Sequence, residues 1–427
     1  MTITATTAPF RLVRLAIIIS IVAAAVAAGV EAAGDDEEGQ GEGLVALDAA
    51  GALHFNSSDP LTQAVLVNGL DVLSVLKEQA SEIEANSDLI ASQDARITAL
   101  RQDLCSLHPP HLGKISSPEL GNSNWAGSVL GHNGLIYGVP YGATSVLIIN
   151  PTANTIDTTT ISGLPTGLAK WLGGALAPQN NNIYCFPSSQ DSVLKFDPST
   201  NTADWTSMAG LGTAEDKYLS GAVGNNGLIY GVPYSSTAVL VINPVTDTID
   251  TTTFGRLKTG THKWWGAVLV PDGRIFGIPR NADAVLIIDP ETNTVDTTSI
   301  AGLGFGSLKW TGGVLAGNGL IYGMPNYSDA VLIIDPEHMT ANTTTIAGFS
   351  GTSKWVGAVL APNGKVVGIP NMAGRVLLLD PDTNTADTTT LGDVDDVHFL
   401  GGVLAADGVV YAVSLSAGNV LVIDVGC

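Results

Sequence analysis

The sequence predicts an all-β fold: a seven-bladed β-propeller of four-stranded blades, preceded by a long α-helix. Three observations carry that prediction. One sentence of residues recurs, clearest as Lys-Trp-x-Gly-Gly-Val-Leu-Ala-x-Asn-Gly-x-Ile-Tyr-Gly-x-Pro followed by Val-Leu-Ile-Ile-Asp-Pro-x-Thr-Asn-Thr-x-Asp-Thr-Thr-Thr-Ile. Its aromatic marker falls at Trp125, Trp171, Tyr218, Trp264, Trp310, Trp355 and Phe399, in steps of 46, 47, 46, 46, 45 and 44 residues. Each period also breaks into four short strand-like pieces, which in the fifth copy are 312–316, 320–324, 330–335 and 342–346. Four strands per period of this length is the sequence signature of a propeller blade.

The chain ahead of the repeats reads as a leader. Arg11 and Arg14 precede an apolar run from Leu15 to Val30, so residues 1–33 are expected to be a signal peptide or a retained signal anchor. Residues 34–58 open with Gly-Asp-Asp-Glu-Glu-Gly and read as an acidic, Gly-rich linker. Asp59-Pro60 is a helix start, and His108-Pro109-Pro110 a stop, which predicts a helix over 59–108. Leu76, Ile83, Ile90, Ile97 and Leu104 recur every seven residues on it, a coiled-coil spacing that offers self-association through residues 60–106. The positions four later, Ala80, Ser87, Asp94 and Arg101, make a poor partner seam. A single amphipathic helix is the alternative.

Within each repeat, Asn-Gly or Asp-Gly pairs (Asn133-Gly134, Asn226-Gly227, Asp272-Gly273, Asn318-Gly319, Asn363-Gly364) supply the positive φ of tight hairpins. Asp-Pro pairs at 289, 335 and 380 make the next turn. The last copy ends at Cys427 without an outer strand, and the missing piece lies upstream of the first marker at Gly113–Ser117. The propeller is therefore expected to span 113–427 and to close by pairing 113–117 onto the final blade, which removes an open edge. Small residues after the marker let innermost strands converge at the axis. The seven marker aromatics read as structural wedges between blades.

The formal charge of -22 argues against nucleic acid, whose phosphates require clustered Lys and Arg. Cys105, Cys185 and Cys427 make neither a disulfide framework nor a metal site. Cys185 replaces the Gly of Tyr-Gly-x-Pro and reads as a small buried filler. Sequons at Asn56, Asn326 and Asn342 become relevant if the chain is exported.

The stretch Ala284–Ile300, Ala-Val-Leu-Ile-Ile-Asp-Pro-Glu-Thr-Asn-Thr-Val-Asp-Thr-Thr-Ser-Ile, resembles the YVTN family of propeller repeats. Ile-Tyr-Gly-x-Pro stands here in place of that family's Tyr-Val-Thr-Asn strand. The resemblance covers 113–427 and implies a secreted or surface propeller, with no catalytic residues to carry over.

The innermost strands contain no Asp, Glu, His, Lys, Arg or Cys. They offer neither the convergent oxygens of a metal-dependent lactonase nor the poised acid or base of a lyase. No catalytic residue, metal ligand or cofactor is assigned. Lys170, Lys217, Lys263, Lys309 and Lys354 each precede the marker, with Asn124 and His398 completing the circuit; five of the ten lysines gather on one face. This ring reads either as a basic collar for an anionic ligand or as a set of structural pairs with Asp191, Asp283 and Asp329. The loops between second and third strands share that face and vary between copies. Tyr141, Tyr234, Arg280, Tyr327 and Arg375 stand in them as candidate binding residues.

The expected function is a secreted, extracellular or cell-surface binding scaffold that recognises a protein or glycan partner through one propeller face. Membrane contact would come only through an uncleaved N-terminal segment. The alternatives are a propeller-type lyase or lactonase with loop-borne catalytic groups, and a structural extracellular repeat protein.

Overall fold

Strand after strand in this chain begins with an aromatic residue and turns back at an Asn-Gly or Asp-Gly pair. A computed structural model describes residues 44–47, 53–56, 66–67, 70–107, 109–116, 120–121, 123–255, 257–306, 308–395, 398–416 and 418–426, with the side chains of 78–97 alone described ahead of residue 109. It divides into two compact units, 1–101 and 102–427. The expected signal segment 1–33 lies outside the described residues, as do Cys427 and the side chain of Cys105.

In the leading unit Leu44–Leu47 pairs antiparallel with Leu53–Asn56, inside the stretch read as linker. The helix runs over Val72–Leu107, beginning later than the Asp59-Pro60 start. The reason lies in Asn68-Gly69, the strongest short hairpin signal: Leu66–Val67 pairs with Leu70–Asp71 across it, Val67 opposite Leu70. Ile90 and Ile97 of the heptad stripe are exposed on the helix. No helix among the described residues is long and apolar enough to cross a membrane.

The second unit is a ring of seven antiparallel blades, each of four strands. The innermost strands are Trp125–Leu130, Trp171–Leu176, Tyr218–Val223, Trp264–Leu269, Trp310–Leu315, Trp355–Leu360 and Val403–Leu404. Within the first blade, Ile136–Pro140, Leu147–Asn150 and Thr155–Asp157 follow outward, and blades two to six repeat that order. The second strands are buried at every position from Ile to Pro because both of their faces meet neighbouring blades.

The core lies between the blades. Seven apolar clusters fill seven interfaces, and each holds one marker aromatic packed against the preceding blade. Trp171, for example, sits among Val139, Val146 and Ile161. The markers are 0 to 4% exposed. The indole Nε1 of Trp125, Trp171, Trp264, Trp310 and Trp355 donates at 2.8 Å to a carbonyl just ahead of the third strand of its own blade, at Ser145, Ser192, Ala284, Ala330 and Arg375. Losing such a wedge would cost about 3–5 kcal/mol. Cys185 is buried in the first interface, and its desolvation pushes the thiol pKa up.

Near the axis the inner strands of blades four to six come close enough that only glycine fits. Gly266, Gly312 and Gly357 adopt positive φ, and a Cβ on each would stand 2.5 to 2.8 Å from the next blade's glycine Cα. Ser220 takes this place in the third blade, outside the left-handed region, and its Oγ accepts from Gly266 N at 2.8 Å.

Two devices close the ring. His111–Ser116 pairs antiparallel with Asn419–Asp424, completing the seventh blade with the start of the domain; the strand begins two residues before the expected 113–117 piece. The closing interface packs Trp125 against Tyr411, Val413 and Val420.

The second device is a hoop of backbone hydrogen bonds on the marker face. The residue after each second-strand Pro donates to the carbonyl of the residue before its own marker. That pre-marker residue donates in turn to the preceding blade. The path runs Tyr141→Asn124, Lys170→Tyr141, Ser188→Lys170, Lys217→Ser188, Tyr234→Lys217, Lys263→Tyr234, Arg280→Lys263, Lys309→Arg280, Asn326→Lys309, Lys354→Asn326, Asn371→Lys354 and His398→Asn371. Leu415→His398 and Ser123→Leu415 complete the circuit, all at 2.5 to 3.1 Å.

At the outer edge, Asp157, Asp250 and Asp387 cap their own turns. The hydroxyls of Thr160, Thr252 and Thr390, together with nearby amides, hold these carboxyls down at about 2.

Deleting residues 1–117 should open the ring, measured as a large fall in melting temperature together with aggregation through the bared edge; a deletion variant that melts like the full chain refutes the clasp. A carboxyl whose folded pKa is depressed stabilises above its unfolded pKa and loses that contribution as pH falls through the folded value. Melting temperature should therefore hold down to about pH 4 and then drop towards about pH 2; no drop across that window contradicts the capping role.

Candidate functional site

Each inner strand starts, and each second strand ends, on the marker face, because the marker pairs with the second-strand Pro, as Trp264 does with Pro279. Loops between second and third strands, and between successive blades, therefore emerge together there. Two concentric sets of side chains surround the axis on that face. The residues after the Pro are Tyr141, Ser188, Tyr234, Arg280, Asn326, Asn371 and, after Val413 in the last blade, Ser414; those after the marker are Ala126, Leu172, Leu219, Trp265, Thr311, Val356 and Leu400. These positions differ from copy to copy while their neighbours in the repeat stay nearly constant.

Below them runs the axial channel, a cavity of about 240 Å³ lined by inner-strand glycines with Ser128, Leu172, Leu219, Ser220, Trp265 and Leu400. None of the residues lining it ionises. Among the described residues no group of three His, Cys, Asp or Glu side chains is placed to hold a metal ion.

The pre-marker lysines are folded inward. Lys170, Lys217, Lys263 and Lys354 are buried, and Lys309 is half-buried. Their ammonium groups donate to backbone carbonyls: Lys217 Nζ to Ser188 O at 2.9 Å and Ala214 O at 2.8 Å, Lys263 Nζ to Ser236 O at 2.7 Å and Gly260 O at 3.1 Å. Lys170 reaches Tyr141 O and Gly167 O, Lys309 reaches Ala282 O, and Lys354 reaches Asn326 O and Gly351 O. Lys263 and Lys309 also lie 5.7 Å from the ring centres of their marker tryptophans. Burial pushes Lys170, Lys217, Lys263 and Lys309 down to about 8, and Lys354 in the same direction.

The loop acids face other partners. The Asp283 carboxylate takes Gly302 N at 3.3 Å and Gly304 N at 2.6 Å, and Asp191 caps Gly210 and Gly212 in the same way. Carboxylates thus satisfy loop amides, and ammonium groups satisfy loop carbonyls. Each lysine ties a blade-to-blade loop to the blade before it. The expected carboxylate–ammonium pairs are replaced by this division because both loop termini present unpaired backbone groups.

The remaining candidates separate into two places. Tyr141, Tyr234 and Arg280 come together at the mouth with Trp265, His262 and Asp216. Arg280 stacks its guanidinium 4.6 Å from the Trp265 ring centre and 5.3 Å from that of Tyr234. Its Nη1 donates to the Tyr234 hydroxyl. Tyr234 meets His262 at 4.8 Å and the edge of Trp265 at 5.6 Å between ring centres. His262 Nε2 lies 3.5 Å from Asp216 Oδ2. Desolvation pushes the Tyr234 hydroxyl up to about 12. Tyr141 and Trp265 pack against an apolar cluster of Ala126, Leu172, Leu219 and Tyr234 that reaches across to Leu400 and Leu415.

Arg375 lies elsewhere, pairing through Nε with Asp393 at 2.7 Å. It borders a cavity of about 340 Å³ with Phe349, Lys354, Trp355 and Met372. Tyr327 is exposed, its hydroxyl 3.5 Å from Ser353 Oγ. His398 is half-buried and serves the hoop through its backbone. Of the sequons, Asn326 is buried with its amide on Trp355 O at 3.2 Å, whereas Asn342 is exposed.

Trp265 and Asp216 were not singled out from sequence. The signal was available at Trp265, the one aromatic residue in a position otherwise held by Ala, Leu, Thr or Val.

Lys217→Met should lower stability by about 2 kcal/mol, the scale of lost hydrogen bonds to a charged group, read from urea unfolding. An unchanged midpoint would return the lysines to the role of a surface collar.

No protein-family model matches the sequence, and no curated protein does. Solved structures do. A catalytically inactive histidine-to-alanine variant of virginiamycin B lyase from Staphylococcus aureus, with quinupristin, is 10% identical at a TM-score of 0.59, covering 73% of this chain and 98% of that one. A streptogramin B lyase is 13% identical at 0.57, covering 73% and 97%. The extracellular domain of a one-component system from B. thetaiotaomicron is 11% identical at 0.53, covering 70% of this chain and 40% of that one. At such identities the likeness is one of fold, and this chain has the fold of a seven-bladed β-propeller.

Proposed function

We propose that this chain is a secreted or surface-tethered recognition protein that binds a protein partner through the marker face of its propeller. The observation that carries the reading is where large apolar side chains are left in water. Among the described residues of the propeller these are Leu168, Val245, Phe305, Tyr327 and Met372, with Leu168 at 70% and Phe305 at 87% exposure. Four of the five sit in marker-face loops, and Val245 alone is in a turn at the opposite end. Apolar groups gathered on one face around a recess are the mark of an interaction surface. Aliphatic and thioether side chains in that set favour a polypeptide over a glycan. The apolar export segment and the exposed Asn342 sequon support placement outside the cell, and the heptad stripe of the helix supports presentation on a self-associating stalk.

A second reading is kept for one observation. His262, Asp216 and Tyr234 form an ionisable group at the mouth of a fold shared with lyases, so a loop-borne lyase or lactonase activity is the rival.

Affinity capture from the medium of the source cells should recover a partner on the wild-type chain. The triple variant Leu168→Ser, Phe305→Ser, Met372→Ser should lose it, and Val245→Ser should keep it. Equal capture by both variants refutes the marker face. Binding to a glycan array instead of a protein transfers the reading to sugars, and lactone or streptogramin turnover abolished by His262→Ala transfers it to the enzyme.

A further inference from the structure

Among the described residues, Arg280 is a half-buried cation of the marker face with no carboxylate paired to it. Each pre-marker lysine donates to a carbonyl of the preceding blade, and all but Lys309 also to one of their own loop. The other propeller arginines with described partners hold a carboxylate each: Arg274 with Asp272 at 2.5 Å, Arg375 with Asp393 at 2.7 Å. Arg280 is more deeply placed than Arg375 and yet, among the described residues, no carboxylate lies within ion-pair distance of it. Its Nε is buried with no hydrogen-bond partner. The nearest acid acting on it, Asp216, is held by Ser188 Oγ at 3.3 Å and faces His262.

The guanidinium is nonetheless fixed. Trp265 and Tyr234 hold its plane, the Tyr234 hydroxyl takes one of its Nη1 hydrogens, and its backbone is a link in the hoop. No other copy of the repeat carries a cation after the second-strand Pro; the residues there are Tyr, Ser or Asn. Arginine stacked on aromatic rings is a pre-organised fork for a planar oxyanion. A guanidinium whose Nε is buried unpaired and which has no carboxylate within ion-pair distance is most simply completed by one that arrives with a ligand.

We infer that Arg280 seats a carboxylate of the bound polypeptide, an acidic side chain or a chain terminus, with Trp265 and Tyr234 as positioning residues. The inference rests on the proposed protein-binding role and names the chemical anchor of that surface.

The test uses the full chain and small probes. N-acetylglycine carries the carboxylate of a peptide terminus; N-acetylglycinamide is its neutral twin; glucuronate, inorganic phosphate and sulfate are the competing anions. Calorimetry and tryptophan fluorescence should show saturable millimolar binding of N-acetylglycine and none of the amide. Arg280→Gln should weaken that binding by about tenfold or more, and Arg280→Lys, which keeps charge but loses the fork, should fall between the two. Near-UV circular dichroism checks that each variant is folded; should Arg280→Gln not fold, the wild-type contrast between acid and amide together with Arg280→Lys decides.

Equal response to acid and amide, or unchanged binding in Arg280→Gln, overturns the inference. Binding of phosphate or sulfate alone assigns a tetrahedral anion and overturns it too, as does glucuronate binding without N-acetylglycine. The triple rim variant should retain N-acetylglycine binding. If it does while partner capture fails in the wild type, the anchor stands and the rim reading falls; if capture survives Arg280→Gln unweakened, the anchor falls and the rim stands.

Discussion

Closure is the constraint from which everything else in this propeller follows. A blade buries apolar surface on both sides, so an open stack would leave two such faces, and a free sheet edge, in water. Three features meet that requirement in one molecule. The strand at the start of the domain completes the last blade, the first marker tryptophan fills the seventh interface, and a backbone hoop passes through every blade. The hoop is the least obvious of these. It consumes main-chain groups that blade-to-blade loops would otherwise leave unpaired near the axis.

That closure sets the terms on which a site can exist. Strand, turn, wedge and tie positions are committed to the fold in every copy, and glycines bring the inner strands so close that no side chain can be added between them. Two rings of positions on the marker face escape these duties: the residues after the Pro join the hoop through their backbones, and those after the marker lie outside the seven interface clusters. Those rings and the adjoining loops vary from copy to copy. In the proposed role, a rigid annulus holding Tyr234, Trp265 and Arg280 in one arrangement and Leu172, Leu219 and Leu400 in another would bind with low reorganisation.

Much of this was legible in the letters. The marker spacing, the Asn-Gly turns and the absent final strand led to the blade number, the strand order and the way the ends meet. The lysine ring was visible as a pattern but its chemistry was not. Whether an ammonium group meets water, a carboxylate or a carbonyl depends on where two loops from different blades end, and the repeat does not encode that in one copy. The leader shows a local competition of the opposite kind. Asp59-Pro60 offers a helix start, yet paired strands at 66–67 and 70–71 precede a helix that begins at Val72.

A period, its turns and the glycines between them were enough to specify a ring, because each copy states the same local conformations and the same two apolar faces. The arrangement at the mouth came only from three dimensions. Arg280 meets Tyr234 across 46 residues and Trp265 across the marker-face end of its own hairpin. The repeat and the hairpin register bring these positions to one face, and circular closure turns that face's loops towards one axis, but the stacking of the three side chains is decided by packing there.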